Sequence, residues 1–358
     1  MRVCYFGPFD PNYPRNRVVI KGLRKNNIDV VECNSHSFNR FLDYVKLLKK
    51  HQTLKYDVIL LGARGTYFGQ PLVPLLRGIT RKPIVFDAVL TLTETMVVDT
   101  KLVKEGSARA KLLYFLDCNA LRNASLVLSD TYAHAIYYSQ LCNVDYRKFR
   151  RVLIGSDDEV FYPRVEEKGS DCFLVMFWGG FNPLQGVKFI IRAAKLLENY
   201  KDIKFQLRGF GQTYFEALEL SKSLGTKNIE FVPTWIPYYE LPNHIAKADV
   251  CLGIFGETEK AHRVIPNKAA ETLAMKKTLI TGSSPATREI FEDGKHCALV
   301  PMANPKALAE KILTLKENKK LKDKMAENGF RLFKEKLSPK AVGKELKLIL
   351  MDLVEKSK

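Results

Sequence analysis

The chain has 358 residues, of which 46% are hydrophobic and 27% charged, a composition that excludes a disordered or fibrous protein and predicts two domains of ordinary size. Lys and Arg outnumber Asp and Glu by 57 to 39, which gives a net charge of +18 and favours either polyanionic partners or simply a solvated lysine-rich surface. The basic residues are not interleaved with aromatic residues as in a recognition motif, which argues against a nucleic-acid-binding protein.

No window approaches the roughly 18 apolar residues of a membrane-spanning helix, and the apolar run at the N-terminus is too short for a secretory signal. We therefore expect a cytoplasmic protein. The seven cysteines form no Cys-x-x-Cys pair, which predicts buried, reduced thiols. The six histidines show no metal-ligand spacing, so we expect no metal.

Short apolar runs alternate with helical patterns along the chain, as in parallel α/β units. The predicted strands of the first half are Arg2–Phe6, Asp29–Cys33, Asp57–Gly62, Pro83–Asp87, Ser125–Ser129 and Arg151–Ile154. Those of the second half are Phe173–Trp178, Ile203–Arg208, Ile229–Val232, Asp249–Ile254, Thr278–Gly282 and Ala298–Val300. Three helices follow from Asn304 onward, and Ser338 is a predicted N-cap of the last one.

The polar, turn-rich stretch 155–163 separates the two series and suits a linker. We therefore predict a first domain over residues 1–160 and a second over 161–335, with the helix of 336–358 returning to the first.

Polar residues follow the first strand of the first domain, at the edge where parallel α/β sheets bind ligands. They predict an acceptor-side group formed by Gly7, Asp10, Arg15 and Asn16, which Asp99, beyond the fourth predicted strand, joins at the same predicted edge. Asp87, which ends the fourth predicted strand, is a catalytic candidate. For a single aspartate, a turn or N-cap role is the ordinary alternative.

In the second domain, Gly179 and Gly180 lie between a strand and a helix, where backbone amides can meet a diphosphate. Trp235, next to Ile236, offers a stacking face to a nucleobase. A core position for Trp235 is the competing interpretation.

The run from Arg263 to Met275 resembles the donor-site helix of family 4 of the retaining nucleotide-sugar glycosyltransferases, the glycosyl transferases group 1. Two glutamates eight residues apart mark that helix, and the second holds the ribose hydroxyls. Glu271 matches the second, Arg263 stands in place of the first, and Pro-Asn-Lys before the glutamate resembles one subgroup. Lys268 and Arg263 would then stabilise the leaving diphosphate.

The resemblance implies the GT-B architecture, with two Rossmann-like domains facing a cleft and the donor bound mainly by the second. It also implies that Ser283 and Ser284 border the transferred sugar and that the backbone of Trp235 and Ile236 flanks the nucleobase. Two basic residues that the family carries after its Gly-Gly turn are replaced here by Phe181 and Gln185. A family histidine near residues 86–88 is also missing.

The implied activity is transfer of a sugar from a nucleoside-diphosphate sugar to a glycan, lipid-linked or small-molecule acceptor, with retention of configuration, no metal and no further cofactor. A nucleotide-sugar-binding protein without activity and a GT-B-type epimerase are the alternatives. Helical spacing in residues 38–50 predicts an amphipathic segment (apolar Phe38, Phe41, Leu42, Val45 and Leu48; basic Arg40, Lys46, Lys49 and Lys50). Either the core or an anionic membrane at the inner face of the cell could receive it.

Overall fold

The computed structural model describes residues 1–35, 40–62, 69–165 and 171–357. Its described residues form two compact units, each built on one parallel sheet. Unit 1 comprises Met1–Gly155 and Lys336–Lys358, and unit 2 comprises Ser156–Glu335. Most inner strands of the two sheets are apolar and buried on both faces, as parallel sheets covered by helices require.

The sheet of unit 1 has six strands in the order β2-β1-β3-β4-β5-β6. Its strands are β1 (Arg2–Gly7), β2 (Asp29–Asn34), β3 (Val58–Leu61), β4 (Ile84–Asp87), β5 (Leu126–Ser129) and β6 (Phe149–Arg151). Its helices are α1 (Pro14–Lys25), α2 (Arg40–Gln52), α3 (Leu72–Ile79), α4 (Ala108–Asn123), α5 (Tyr132–Cys142) and α13 (Pro339–Glu355). A π-helical segment, Glu94–Asp99, lies between β4 and α4.

The sheet of unit 2 has six strands in the order β12-β11-β10-β7-β8-β9. They are β7 (Phe173–Trp178), β8 (Ile203–Arg208), β9 (Ile229–Val232), β10 (Val250–Leu252), β11 (Thr278–Ser283) and β12 (Ala298–Pro301). The helices are α6 (Val187–Leu196), α7 (Tyr214–Leu224), α8 (Leu241–Lys247), α9 (Asn267–Ala274), α10 (Pro285–Arg288), α11 (Pro305–Glu317) and α12 (Lys319–Leu332).

The C-terminal helix α13 packs on α1 within unit 1. A Cβ added to Gly343 would lie 2.1 Å from the carbonyl oxygen of Gly22, so the two helix backbones touch without side chains between them. The N-cap predicted for this helix is confirmed, because the Ser338 hydroxyl accepts the backbone N–H of Ala341.

Two sequence-based expectations were wrong. The sixth strand is Phe149–Arg151 instead of Arg151–Ile154, because its partner strand β5 ends at Ser129 and the pairing stops there. Cys118 and Cys142 form a disulfide, so not all seven thiols are reduced. Packing of α4 against α5 joins them across 24 residues of sequence.

Helix α2 contains most of the amphipathic segment expected over residues 38–50. Phe38 lies outside the described residues, and so does the side chain of Phe41. Leu47 is fully buried, Leu48 packs on the core, and Lys46, Lys49 and Lys50 are exposed. The helix therefore packs on the core through Leu47 and Leu48, as the core interpretation expected, but Leu42 of the predicted apolar set is 47% exposed.

Candidate functional site

The strand order of unit 2 reverses between β7 and β10, and crevices at such a switch point are where open α/β sheets bind ligands. Gly179 follows β7 with φ +127°, and Gly209 follows β8 with φ +125°. A Cβ on Gly209 would lie 2.0 Å from the Gly179 carbonyl oxygen, so glycine is required where these two strand ends approach. At Gly179 and Gly180, the end of β7 therefore presents backbone atoms without side chains.

Helix α9 places the buried side chain of Lys268 at this edge of the sheet. The ammonium group of Lys268 donates to Oε1 of Gln185 at 2.5 Å and lies 3.7 Å from the centre of the Phe177 ring. A Cβ on Gly179 would be 3.4 Å from the same nitrogen. The Lys268 ammonium group therefore stands directly beside the glycine turn.

Glu271, one helical turn further along α9, is also buried. Its Oε2 accepts the indole N–H of Trp178 at 2.9 Å. Trp178 is the last residue of β7, so one strand end carries both the glycine turn and the donor that orients this carboxyl group. The other carboxyl oxygen keeps its capacity to accept hydrogen bonds.

Burial drives both ionisable groups towards their neutral forms. It lowers the pKa of Lys268 well below its usual value, although the Glu271 carboxylate opposes the shift. Burial likewise raises the pKa of Glu271 to about 7, against the opposing effects of Trp178 and Lys268. A site that holds a poorly solvated amine and carboxyl group side by side is suited to an anionic, hydroxyl-bearing ligand.

The two residues that depart from the family pattern after the glycine turn have defined places. Phe181 is fully buried and packs edge-on against Phe177 and Tyr214, so it belongs to the core. Gln185 is the hydrogen-bond acceptor for Lys268, and its backbone oxygen accepts the N–H of Phe255 at 3.1 Å. The segment that presents Gln185 is thus anchored to the chain that follows β10.

Trp235 does not occupy a core position: it is 66% exposed. A Cβ added to Gly180 would lie 3.9 Å from the end of its ring. Ile236 beside it is half-buried. The exposed indole face next to the glycine turn keeps base stacking as a prediction for this residue.

Arg263 and the two serines lie further along the same unit. The Arg263 guanidinium group is 3.4 Å from the Glu259 carboxylate. Ser284 caps α10, exchanging hydrogen bonds with Thr287, while the Ser283 hydroxyl accepts Nε of Arg288 at 2.9 Å. Ser283 also lines a pocket of about 650 Å³ at the ends of β11 and β12. Their contacts with a sugar or phosphate stay predictions.

In unit 1, Arg15 and Asp87 form a buried ion pair. Nε and Nη2 of Arg15 donate to the two Asp87 oxygens at 2.9 and 3.1 Å, and Nη1 donates to the carbonyl oxygens of Val152 and Leu153. This arrangement joins the end of β4 to the segment after β6. It gives Asp87 and Arg15 a structural role, and their predicted catalytic and acceptor roles stay predictions.

Of the other acceptor-side candidates, Gly7, Asp10 and Asn16 lie at the end of β1 or after it, whereas Asp99 follows β4. Asn16 is buried, accepts the Tyr5 hydroxyl and donates to the Asp10 carbonyl. Asp10 itself is exposed, and Gly7 ends β1 with φ +128°. Asp99 is buried at the end of the π-helical segment. Of this group, Asp10 alone presents an exposed carboxylate.

Sequence reasoning missed a buried ionic cluster around His134. Its Nδ1 lies 2.5 Å from Asp130, its Nε2 lies 3.2 Å from Glu94, and Tyr138 donates to Glu94 at 2.8 Å. Burial alone would lower the pKa of His134, but Asp130 and Glu94 raise it to about 10. The four-residue spacing of Asp130, just before the N-cap of α5, and His134 in its first turn was the available signal, whereas the Glu94 contact is long-range.

Within the described ranges, no group of three His, Cys, Asp or Glu side chains could hold a metal ion. No helix in that part of the chain is both long and apolar enough to cross a bilayer.

Comparison with known proteins gives a family match over part of the chain and a fold. Residues 172–318 match the model of the family described as glycosyl transferases group 1. Sucrose-phosphate synthase from Thermosynechococcus elongatus superposes with a TM-score of 0.77 at 13% identity, covering 99% of this chain and 100% of that chain. HepE from Anabaena in complex with UDP-glucose gives 0.71 at 14% identity, covering 98% and 100%.

A glycosyltransferase from Rickettsia africae gives a TM-score of 0.68 at 15% identity and covers 99% of this chain and 98% of that chain. No protein of curated function matches the chain in sequence. The expected GT-B fold and the expected resemblance to group 1 glycosyltransferases are confirmed.

Proposed function

Because residues 172–318 match the glycosyl transferases group 1 model and the chain has a GT-B fold, we propose that it transfers a sugar from a nucleoside-diphosphate sugar to a glycan, lipid-linked or small-molecule acceptor. The proposal includes retention of anomeric configuration and independence from metal, both of which rest on the family resemblance. A lipid-linked acceptor would bring the enzyme to the inner face of the cell membrane.

The observation that carries the proposal is the pairing of Lys268 and Glu271 at the switch point of unit 2. A diphosphate placed against Gly179 and Gly180 would meet backbone atoms and one ammonium group held by Gln185. In this low-dielectric setting the ammonium group would stabilise the charge that develops on the leaving diphosphate. The leaving group itself could accept the acceptor's proton, so no separate base is needed.

Glu271 would fix the nucleoside in the same step. A carboxylate can accept hydrogen bonds from two vicinal ribose hydroxyls, and Trp178 holds this one in place. Trp235 lies beside Gly180, where a base could stack on its exposed face. Since HepE was solved with UDP-glucose, UDP-sugars are the first donors to test.

The test is a thermal-shift and calorimetric comparison of UDP, GDP, dTDP, ADP and CMP, with their sugars and without added metal. A ligand that binds the folded state alone raises the unfolding midpoint. We expect one nucleoside diphosphate to do so, and Glu271→Gln to weaken it by about tenfold or more, the loss of one hydrogen bond to a charged group. Glu310→Gln, on the exposed face of α11, is the matched control.

Four outcomes would contradict the proposal. If no nucleotide stabilises the protein, or if Glu271→Gln binds as well as the wild type, the donor site is misplaced. If the nucleotide sugar binds but no diphosphate is released with any acceptor, the chain is a binding protein. Conversion of a UDP-sugar without an acceptor would identify an epimerase.

A further inference from the structure

Helix α4 of unit 1 is apolar on two opposite faces. Its inner face contributes Ala110 and Leu113 to a small core. On its outer face Leu112 and Phe115, three residues apart, are 55% and 60% exposed. A helix of a globular protein ordinarily has a polar outer face, so this exposed apolar stripe requires an explanation.

The neighbouring helix α3, which packs against α4, repeats the pattern. Leu75 and Ile79 are four residues apart, on one face of the helix, and both are exposed. Leu102, in the loop that leads into α4, is exposed as well. We refer to the exposed residues of 72–82 and 101–116 as the α3–α4 surface.

The charges of the α3–α4 surface are almost all of one sign. Its exposed basic residues are Arg77, Arg81, Lys82, Lys101, Lys104, Arg109 and Lys111, and its one acidic residue is Glu105. Long basic side chains can lay their stems along an apolar surface while their charges reach an anionic layer. Apolar side chains set among cations are the chemical complement of anionic lipid headgroups above acyl chains.

We propose that the α3–α4 surface docks unit 1 on an anionic membrane, with Leu112 and Phe115 entering the headgroup layer. The proposal is independent of nucleotide binding. It differs from the membrane contact considered for residues 38–50, whose helix α2 buries Leu47 in the core. Charge complementarity selects the bilayer over an apolar protein partner, because such a partner would leave the basic groups of this surface unpaired.

The experiment is co-sedimentation of the full chain with vesicles of equal parts phosphatidylcholine and phosphatidylglycerol, and with vesicles of phosphatidylcholine alone. We expect binding to the anionic vesicles only, weakened by added salt. The double variant Leu112→Gln and Phe115→Gln should reduce the vesicle partition coefficient by about tenfold or more, since it removes two inserting side chains.

The matched control is Leu348→Gln with Met351→Gln on α13, which has the same spacing and exposures of 62% and 48%. It should bind as the wild type does. Replacing Arg109 and Lys111 by Gln should weaken binding and flatten its salt dependence, whereas Lys319→Gln with Lys320→Gln on α12 should not. All four variants change exposed residues, so their unfolding midpoints should match the wild type.

Four results would overturn the proposal. The wild type fails to bind anionic vesicles, or the α4 and α13 variants lose binding equally. Alternatively, the protein is a dimer by light scattering and Leu112→Gln with Phe115→Gln makes it a monomer without any effect on vesicles. Loss of binding in variants of Lys46, Lys49 and Lys50, with α4 variants unaffected, would transfer the contact to α2.

Discussion

Replacing Gln185 by Met tests whether the Lys268 ammonium group is a positioned phosphate ligand. Methionine has nearly the length of glutamine but no oxygen to accept the hydrogen bond that now spans 2.5 Å. Phe177 and Gly179 would still surround the amine. The Gln185 acceptor offsets part of the cost of burying the Lys268 charge, so its loss should move the lysine further towards its neutral form.

The size of the effect follows from the contact. A hydrogen bond to a buried charged group is worth about 1.5–3 kcal/mol, which corresponds to a roughly 10- to 150-fold loss in affinity for a ligand that needs the ammonium form. Only ligands with a diphosphate should lose this much. The affinity for the bare nucleoside should change little, since Glu271 and Trp235 are untouched.

The assay is isothermal titration of wild type and variant with the nucleoside diphosphate and with the nucleoside, over a series of pH values. For Gln185→Met, the diphosphate affinity should fall off at a lower pH than in the wild type, because the variant lowers the pKa of Lys268. The titratable neighbour of Lys268 is Glu271, on the same helix. Gln140→Met, exposed on α5, is the control. Equal losses for nucleoside and diphosphate would refute the reasoning, as would an unchanged pH profile.

Three further predictions follow from burial. The affinity of the wild type for nucleotide should increase as the pH rises through about 7, where Glu271 ionises. The Glu271→Gln variant should not show this increase when nucleotide is titrated over the same pH range. The charged His134 contributes its full stabilisation below its unfolded pKa of 6.5, and this contribution is lost as the pH rises towards 10. The His134→Gln variant should therefore have a free energy of unfolding in urea that is lower by about 3–5 kcal/mol near pH 6, and by less above pH 9. Gly343→Ala should destabilise by roughly 1–3 kcal/mol or more through its clash with Gly22, whereas Gly78→Ala, with open space around it, should not; equal midpoints would contradict the helix contact.

Periodicity and turn residues located all twelve strands, with only β6 displaced along the chain, because each strand carries its own apolar run. The glycine turn and the α9 residues were also recognisable from local sequence. Their partners were not. Lys268 and Gln185 are 83 residues apart, and Glu271 and Trp178 are 93 apart. Such pairings depend on the sheet order, which no local pattern records.

The same separation in sequence explains why Gln185, considered by sequence alone, indicates a lost phosphate contact. Compared position by position with the family, it is a missing cation in the loop after the glycine turn. In the folded unit it lies against the Lys268 ammonium group, which arrives at that turn from α9. A single positive charge at the edge of β7 can therefore be supplied by a helix, provided that the loop supplies an acceptor. Because burial lowers the pKa of Lys268 and raises that of Glu271, both groups would gain charge on meeting the diphosphate and the ribose hydroxyls. The proton taken up by one would offset the proton released by the other.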